Sequence, residues 1–156
     1  MSVFSDNLRA ARIAAGLTQL DMAHAVGWQY ANGYRTYEIG KICPSLKLAY
    51  QFALITHTSL DALTDLPVMA VIDTPSEATF HQRIKIARTN LGMTQLQVAK
   101  ALGWDKYNTY NAYERGISIP SVDLAARMAQ VLGVSLDSLC AGGFTEKNAT
   151  KKGAGE

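Results

Sequence analysis

The chain has 156 residues, 48% of them hydrophobic and 18% charged, with a formal net charge of +2. That is enough apolar material for compact cores, and the charge is too small to announce nucleic acid by itself. Cys43 and Cys140 have no Cys or His neighbour at ligand spacing, so neither a zinc site nor a disulfide framework is suggested, and both read as free thiols in a reducing cytosol.

In chain order, MSVFSDNLRAA lacks a basic region followed by an apolar run, and Val68 to Ile72 is far too short to span a bilayer. A soluble, cytoplasmic chain without membrane contact is expected. A first helix from about Ser5 to Ala15 puts Leu8, Ala11 and Arg12 on one face before Gly16 stops it. A second helix begins at Thr18, and a third lies between about Gln29 and Ile39. After Pro44, Ser45 is the N-cap of a fourth helix carrying Leu48, Phe52 and Ile55, and a fifth starts at Ser59. Pro67 to Thr79 is a linker, read as an extended connector pinned against one domain; its β-branched Val68 to Ile72 segment also suits a strand pairing with another chain.

The plan then restarts, from His81 to about Cys140. Thr94 and Gln97 form a capping box, Leu96, Ala99 and Leu102 recur at helical spacing, and Gly103 supplies a turn. Tyr110 and Tyr113 point inward on the following helix, and Gly116 ends it. Residues 144–156, with Lys147, Lys151 and Lys152, are expected to be a disordered tail. No segment alternates convincingly with period two, so the fold class is all-α.

Aligning residue n with n+76, without a gap from Phe4 to Leu66, gives 25 identities in 63 positions, which is an internal duplication. Two small domains follow, residues 1–66 and 80–143, joined by 67–79; packing between them would help, because cores of this size are marginal alone. Split after residue 76, the first part carries five basic and six acidic groups, net −1, and the remainder ten and seven, net +3, which sum to +2. The second half is the better electrostatic match to phosphate.

The order Arg88, Gly92, Thr94, Gln95, Ala99, Gly103, Tyr113, Glu114, Gly116, Pro120, Ser121 resembles the helix-turn-helix domain of phage repressor and Cro proteins, and Arg12 through Ser45 repeats it. The resemblance implies two tandem five-helix repressor-like domains that bind double-stranded DNA. One departure is visible: Gly27 to Glu38, and Gly103 to Glu114, span one residue more than the usual family spacing. The resemblance also implies that Arg12 with Glu38, and Arg88 with Glu114, form internal ion pairs between the first helix and the end of the reading helix.

Gln19 and Gln95 open the second helix of each copy, where backbone N–H groups favour a phosphate; the family uses this Gln in that way. Base reading falls to the exposed side of the third helix. In the first copy that means Gln29, Tyr30, Asn32, Arg35 and Thr36, with Lys41 just beyond; in the second, Asp105, Lys106, Asn108, Thr109 and Asn111. Asn and Gln can bond adenine in a bidentate way, and Arg or Lys can address guanine or phosphate. Trp28 and Trp104 are expected to pack the helix junction. His24, His57 and His81 are scattered and unmatched in the repeat, and no catalytic constellation is present.

The resemblance implies regulation of transcription, expected to be repression by occluding polymerase, with no cofactor, metal or small-molecule ligand. The other reading is a protein-interaction module, dimerising or antitoxin-like, in which only the second domain reads DNA. Gly33 inside the first reading helix and the charge of the first half favour it. The linker's thirteen residues could extend to about 43 to 47 Å, enough for half-sites about 34 to 36 Å apart, so one chain could cover two half-sites, and a homodimer of chains would extend the site further.

Overall fold

A computed structural model describes residues 2–144, and among these all regular structure is helical. Five helices, α1 (Val3–Ala14), α2 (Gln19–Ala25), α3 (Ala31–Glu38), α4 (Leu46–Ile55) and α5 (Leu60–Leu63), are followed by α6 (Phe80–Asn90), α7 (Gln95–Ala101), α8 (Asn108–Glu114), α9 (Val122–Leu132) and α10 (Leu136–Cys140). Equivalent helices start 76 or 77 residues apart, so the repeated sequence forms repeated structure. The expected tail lies outside the described residues from 145 onward. Phe144, assigned to that tail, instead packs its ring between Tyr50 and Phe80, at centroid distances of 5.9 and 5.8 Å.

The helix starts follow from side-chain capping. Thr18 with Asp21, Thr79 with Gln82 and Thr94 with Gln97 are capping boxes, while Ser2, Ser45, Ser59, Ser121 and Ser135 accept from the first turns they precede. The α2–α3 and α7–α8 turns depend on Gly27 and Gly103, whose φ values of 86° and 87° lie in the left-handed region. Just beyond each glycine the chain folds back on the helix it has left, Trp28 N–H donating to the Ala23 carbonyl and Trp104 N–H to that of Ala99.

Each five-helix unit buries one apolar face per helix. Leu8, Met22, Tyr34, Leu46, Phe52, Leu60 and Leu63 fill the first unit, and Ile84, Val98, Tyr110, Val122, Met128, Leu136 and Leu139 the second. The two sets form one continuous core, because α4 packs on α9 and α5 on α10. Along this contact the bonds are reciprocal. Leu46 N–H donates to the Pro120 carbonyl at 2.9 Å and Val122 N–H to the Pro44 carbonyl at 3.0 Å, an antiparallel bridge between Ser45 and Ser121. Asp137 accepts from the Leu60 and Asp61 amides at the start of α5; Asp61 accepts from the Leu136 amide at the start of α10. Each unit thus caps a helix of the other with the acid at the same place in the repeat.

The linker is a connector fixed to the second unit. Ser135 N–H donates to the Ala70 carbonyl in a parallel bridge, Ile72 is buried, and Arg83 donates to the carbonyls of Pro75, Ser76 and Ala78 and to that of Ser138 in α10. Within Val68 to Ile72, Ala70 thus pairs inside the chain and Ile72 is buried, whereas Val68 and Val71 stay exposed. The linker does not act as a free tether, so its extended length does not set the spacing of the two units.

Candidate DNA-reading surfaces

The same polar network recurs in both five-helix units. Arg12 on α1 donates through Nε and one terminal nitrogen to both Glu38 oxygens, and through the other terminal nitrogen to the Leu17 carbonyl at 2.7 Å. In the second unit Arg88 meets Glu114 at 2.6 and 3.2 Å and the Met93 carbonyl at 2.9 Å. The Glu38 and Glu114 side chains are only 2% and 3% exposed, so the fork-to-fork pair is an internal strut that sets the angle of α3 and α8 against α1 and α6. Its presence in both units shows the register: Glu38 and Glu114, at the ends of α3 and α8, both point inward.

Burial alone would raise the pKa of both glutamates. The bonds from Arg12, Gln19 and Tyr34 outweigh it at Glu38, as those from Arg88 and Gln95 do at Glu114, and both carboxyls lie below their ordinary value of 4.5. A carboxyl depressed on folding contributes stability above its unfolded pKa, and that contribution is lost as pH falls through the folded value. Asp137 has the opposite sign: burial first, and the facing Asp61, raise its pKa, so its contribution is lost as pH rises. Asp21, in the Thr18 capping box, is depressed as well, by its hydrogen bonds from Thr18; with three depressed carboxyls against one raised, melting temperature is expected to fall as pH drops below about 4.5. In Asp137→Asn, which removes the opposing group, this acid-side fall should steepen; a flat profile from pH 6 to 3 in both proteins contradicts the network.

Gln19 and Gln95, expected to meet phosphate, also belong to this network. Each points inward, donating to Glu38 or Glu114 at 2.7 Å, and Gln95 also donates to Asn111 at 3.2 Å. The Gln95 amide nitrogen thus donates into the strut, and Asn111, expected on the reading face, is half-buried beside it. Gln29, Tyr30, Asp105 and Lys106 lie in the loops before the reading helices, because α3 begins at Ala31 and α8 at Asn108. All four are exposed, as are Asn32, Arg35 and Lys41 in the first unit and Asn108 and Thr109 in the second; Thr36 is half-buried, bonded back to the Gly33 carbonyl.

Gly33 has a packing reason. A Cβ there would meet the Trp28 ring at 3.4 Å, and Trp28 packs against Tyr37 and Phe52 at centroid distances of 6.0 and 6.4 Å. Trp104 lies near Tyr113 in the same way. In the second unit His81 adds a brace, its Nδ1 lying 2.7 Å from the Tyr113 carbonyl at the end of α8; a Cβ at Gly116 would come within 3.1 Å of that imidazole.

Sequence reasoning missed Arg9. It lines a recess of about 430 Å³ with Arg12, Gln19, Arg35, Glu38 and Ile39, beside the start of α2. Arg9 and Arg35 are exposed and pair with no carboxylate among the described residues, so the recess offers two guanidinium groups to an anion. The signal was available: apart from Arg12 and Arg88, Arg9 and Lys85 are the one equivalent pair in the repeat that is basic in both copies.

Among the described residues no helix is long and apolar enough to cross a membrane, and no group of three or more His, Cys, Asp or Glu could hold a metal. A helix-turn-helix family model matches residues 84–139, from within α6 to within α10. That match implies double-stranded DNA binding and regulation of transcription. No curated protein and no solved structure matches the chain.

Proposed function

We propose that the chain is a sequence-specific double-stranded DNA-binding regulator, a cytoplasmic repressor that uses both helix-turn-helix segments to occlude a promoter. The observation that carries this reading is the repeated strut, which braces an exposed α3 and an exposed α8 in the same way. Asn32 and Asn108, equivalent and exposed, take the base-reading role, with Gln29, Tyr30 and Thr36 beside the first and Asp105 and Thr109 beside the second. Arg9, Arg35 and Lys41 in the first unit and Lys85 and Lys106 in the second hold phosphates. Gln19, Gln95 and Asn111 serve mainly to position the helices.

A second reading has its own support: the family match leaves out the first 83 residues, and residues 1–76 carry net −1. In it the first unit keeps the scaffold for protein contact, and only the second reads DNA. Because the units share one core, the test uses the whole chain. Asn108→Ala is expected to cost about 1 to 3 kcal/mol of discrimination between the preferred and a random duplex, while Lys106→Ala weakens both alike and flattens the salt dependence. Equal loss on both duplexes for Asn108→Ala would rule out base reading there. Asn32→Ala decides between the readings: relaxed preference assigns the first unit to DNA, and unchanged preference assigns it to protein contact.

A further inference from the structure

We infer that one chain by itself recognises an inverted repeat of two related but unequal half-sites, bound in a single fixed orientation. This rests on the DNA-binding reading above and goes beyond it in specifying the arrangement of the site. The observation is the reciprocity of the contact between units. Leu46 to Pro120 is answered by Val122 to Pro44, and the Asp137 cap on α5 by the Asp61 cap on α10. Contacts in which i meets j and j's equivalent meets i's equivalent mark an isologous, two-fold interface. Here it lies inside a single chain.

A two-fold relation has a definite consequence on DNA. It turns the second reading element to run opposite to the first, so both units meet equivalent base edges only when the half-sites are inverted. A direct repeat would require units related by a translation along the groove. The interface also limits the spacing. Five residues, 39–43, separate the end of α3 from Pro44, and five, 115–119, separate the end of α8 from Pro120. At about 3.3 to 3.6 Å per residue each reading helix ends within roughly 20 to 22 Å of the contact, a span compatible with half-sites about 34 to 36 Å apart. With the linker bonded to the second unit, the spacing is set by packed helices and little slack remains.

The orientation comes from divergence of the reading faces. Asn32 and Asn108 are shared, but the exposed Gln29 and Tyr30 stand where the second unit has Asp105 and Lys106, and the exposed Arg35 where it has the inward-bonded Asn111. The half-sites therefore have a common element and different flanks, and the first unit always takes the same side. A homodimer of identical subunits cannot impose such a polarity.

The test is selection from a random-sequence duplex pool with the full chain, then sedimentation of the complex and titration of rearranged duplexes. The expected site holds two inverted, unequal half-sites and binds one chain. Flipping one half-site into a direct repeat, or inserting five base pairs between the two, is expected to weaken binding about 100-fold, toward the level of a single half-site. Equal affinity for the direct repeat, tolerance of the insertion, or two chains per site would overturn the inference while leaving DNA binding intact. Failure to enrich any sequence would overturn the DNA-binding reading and this inference with it.

Discussion

Glu114→Gln is expected to lower the stability of the whole chain by about 3 to 5 kcal/mol, because it leaves Arg88 held in a half-buried site without its anion. For a protein of this length that corresponds to a drop in melting temperature of roughly 6 to 20 °C. The substitution keeps the shape of the side chain, so the loss reports charge and hydrogen bonding, not volume. Gln95, which donates to Glu114 at 2.7 Å, loses a charged acceptor in the same step. Below the melting transition, DNA affinity should change less than stability, since Glu114 faces α6 and not solvent. Unchanged melting with collapsed DNA affinity would place Glu114 on the DNA and remove the strut.

Arg83→Leu is expected to destabilise by about 3 kcal/mol and to free the linker. The guanidinium, 5% exposed, donates to the carbonyls of Ala78 at 2.8 Å, Ser138 at 3.1 Å, Pro75 at 3.2 Å and Ser76 at 3.4 Å. Removing it leaves several carbonyls without a donor, each worth about 1 to 3 kcal/mol when buried, of which water entering the opened linker recovers part. Arg83→Lys should restore little, because one ammonium cannot fan out to four acceptors as a planar guanidinium does. Thermal melting together with protease cleavage after Glu77 reads both effects. Unchanged melting and unchanged cleavage would show that the linker is held by apolar burial of Ile72 and Ala78 alone.

The helices, turns and ion pairs were legible because each is encoded locally or repeated. Thr94 with Gln97 and the serines before α4 and α5 announce their helices, and Arg12, Glu38, Arg88 and Glu114 recur at matching positions. Gln29, Tyr30, Asp105 and Lys106 were placed on the helices but lie just before them, because neither Tyr30 nor Tyr107 offers a side-chain cap that would mark where α3 and α8 begin. The inward turn of Gln19 and Gln95 depends on a glutamate 19 residues away, which periodicity does not see.

The contact between units was the least legible part. Asp61 and Asp137 are identical under the repeat, yet identity does not reveal that each caps a helix of the other unit and not of its own. Arg83 was hidden by divergence. Its equivalent, Asn7, donates to the Ala62 and Leu63 carbonyls at the end of α5, and the longer Arg83 does the same for Ser138 while also reaching the linker. Phe144 was read with the polar residues that follow it, although its ring belongs to the aromatic contact between the units.

The central claim is that α3 and α8 both face DNA, and backbone amide chemical-shift mapping of the full chain, titrated with its selected duplex, tests it most directly. The expected result is two separate patches of perturbed amides in slow exchange, around residues 29–36 and 105–109, with the Ser45–Ser121 contact unmoved. Perturbation confined to residues 105–109 would contradict the claim for the first unit, and perturbation absent from both patches would contradict it for the protein.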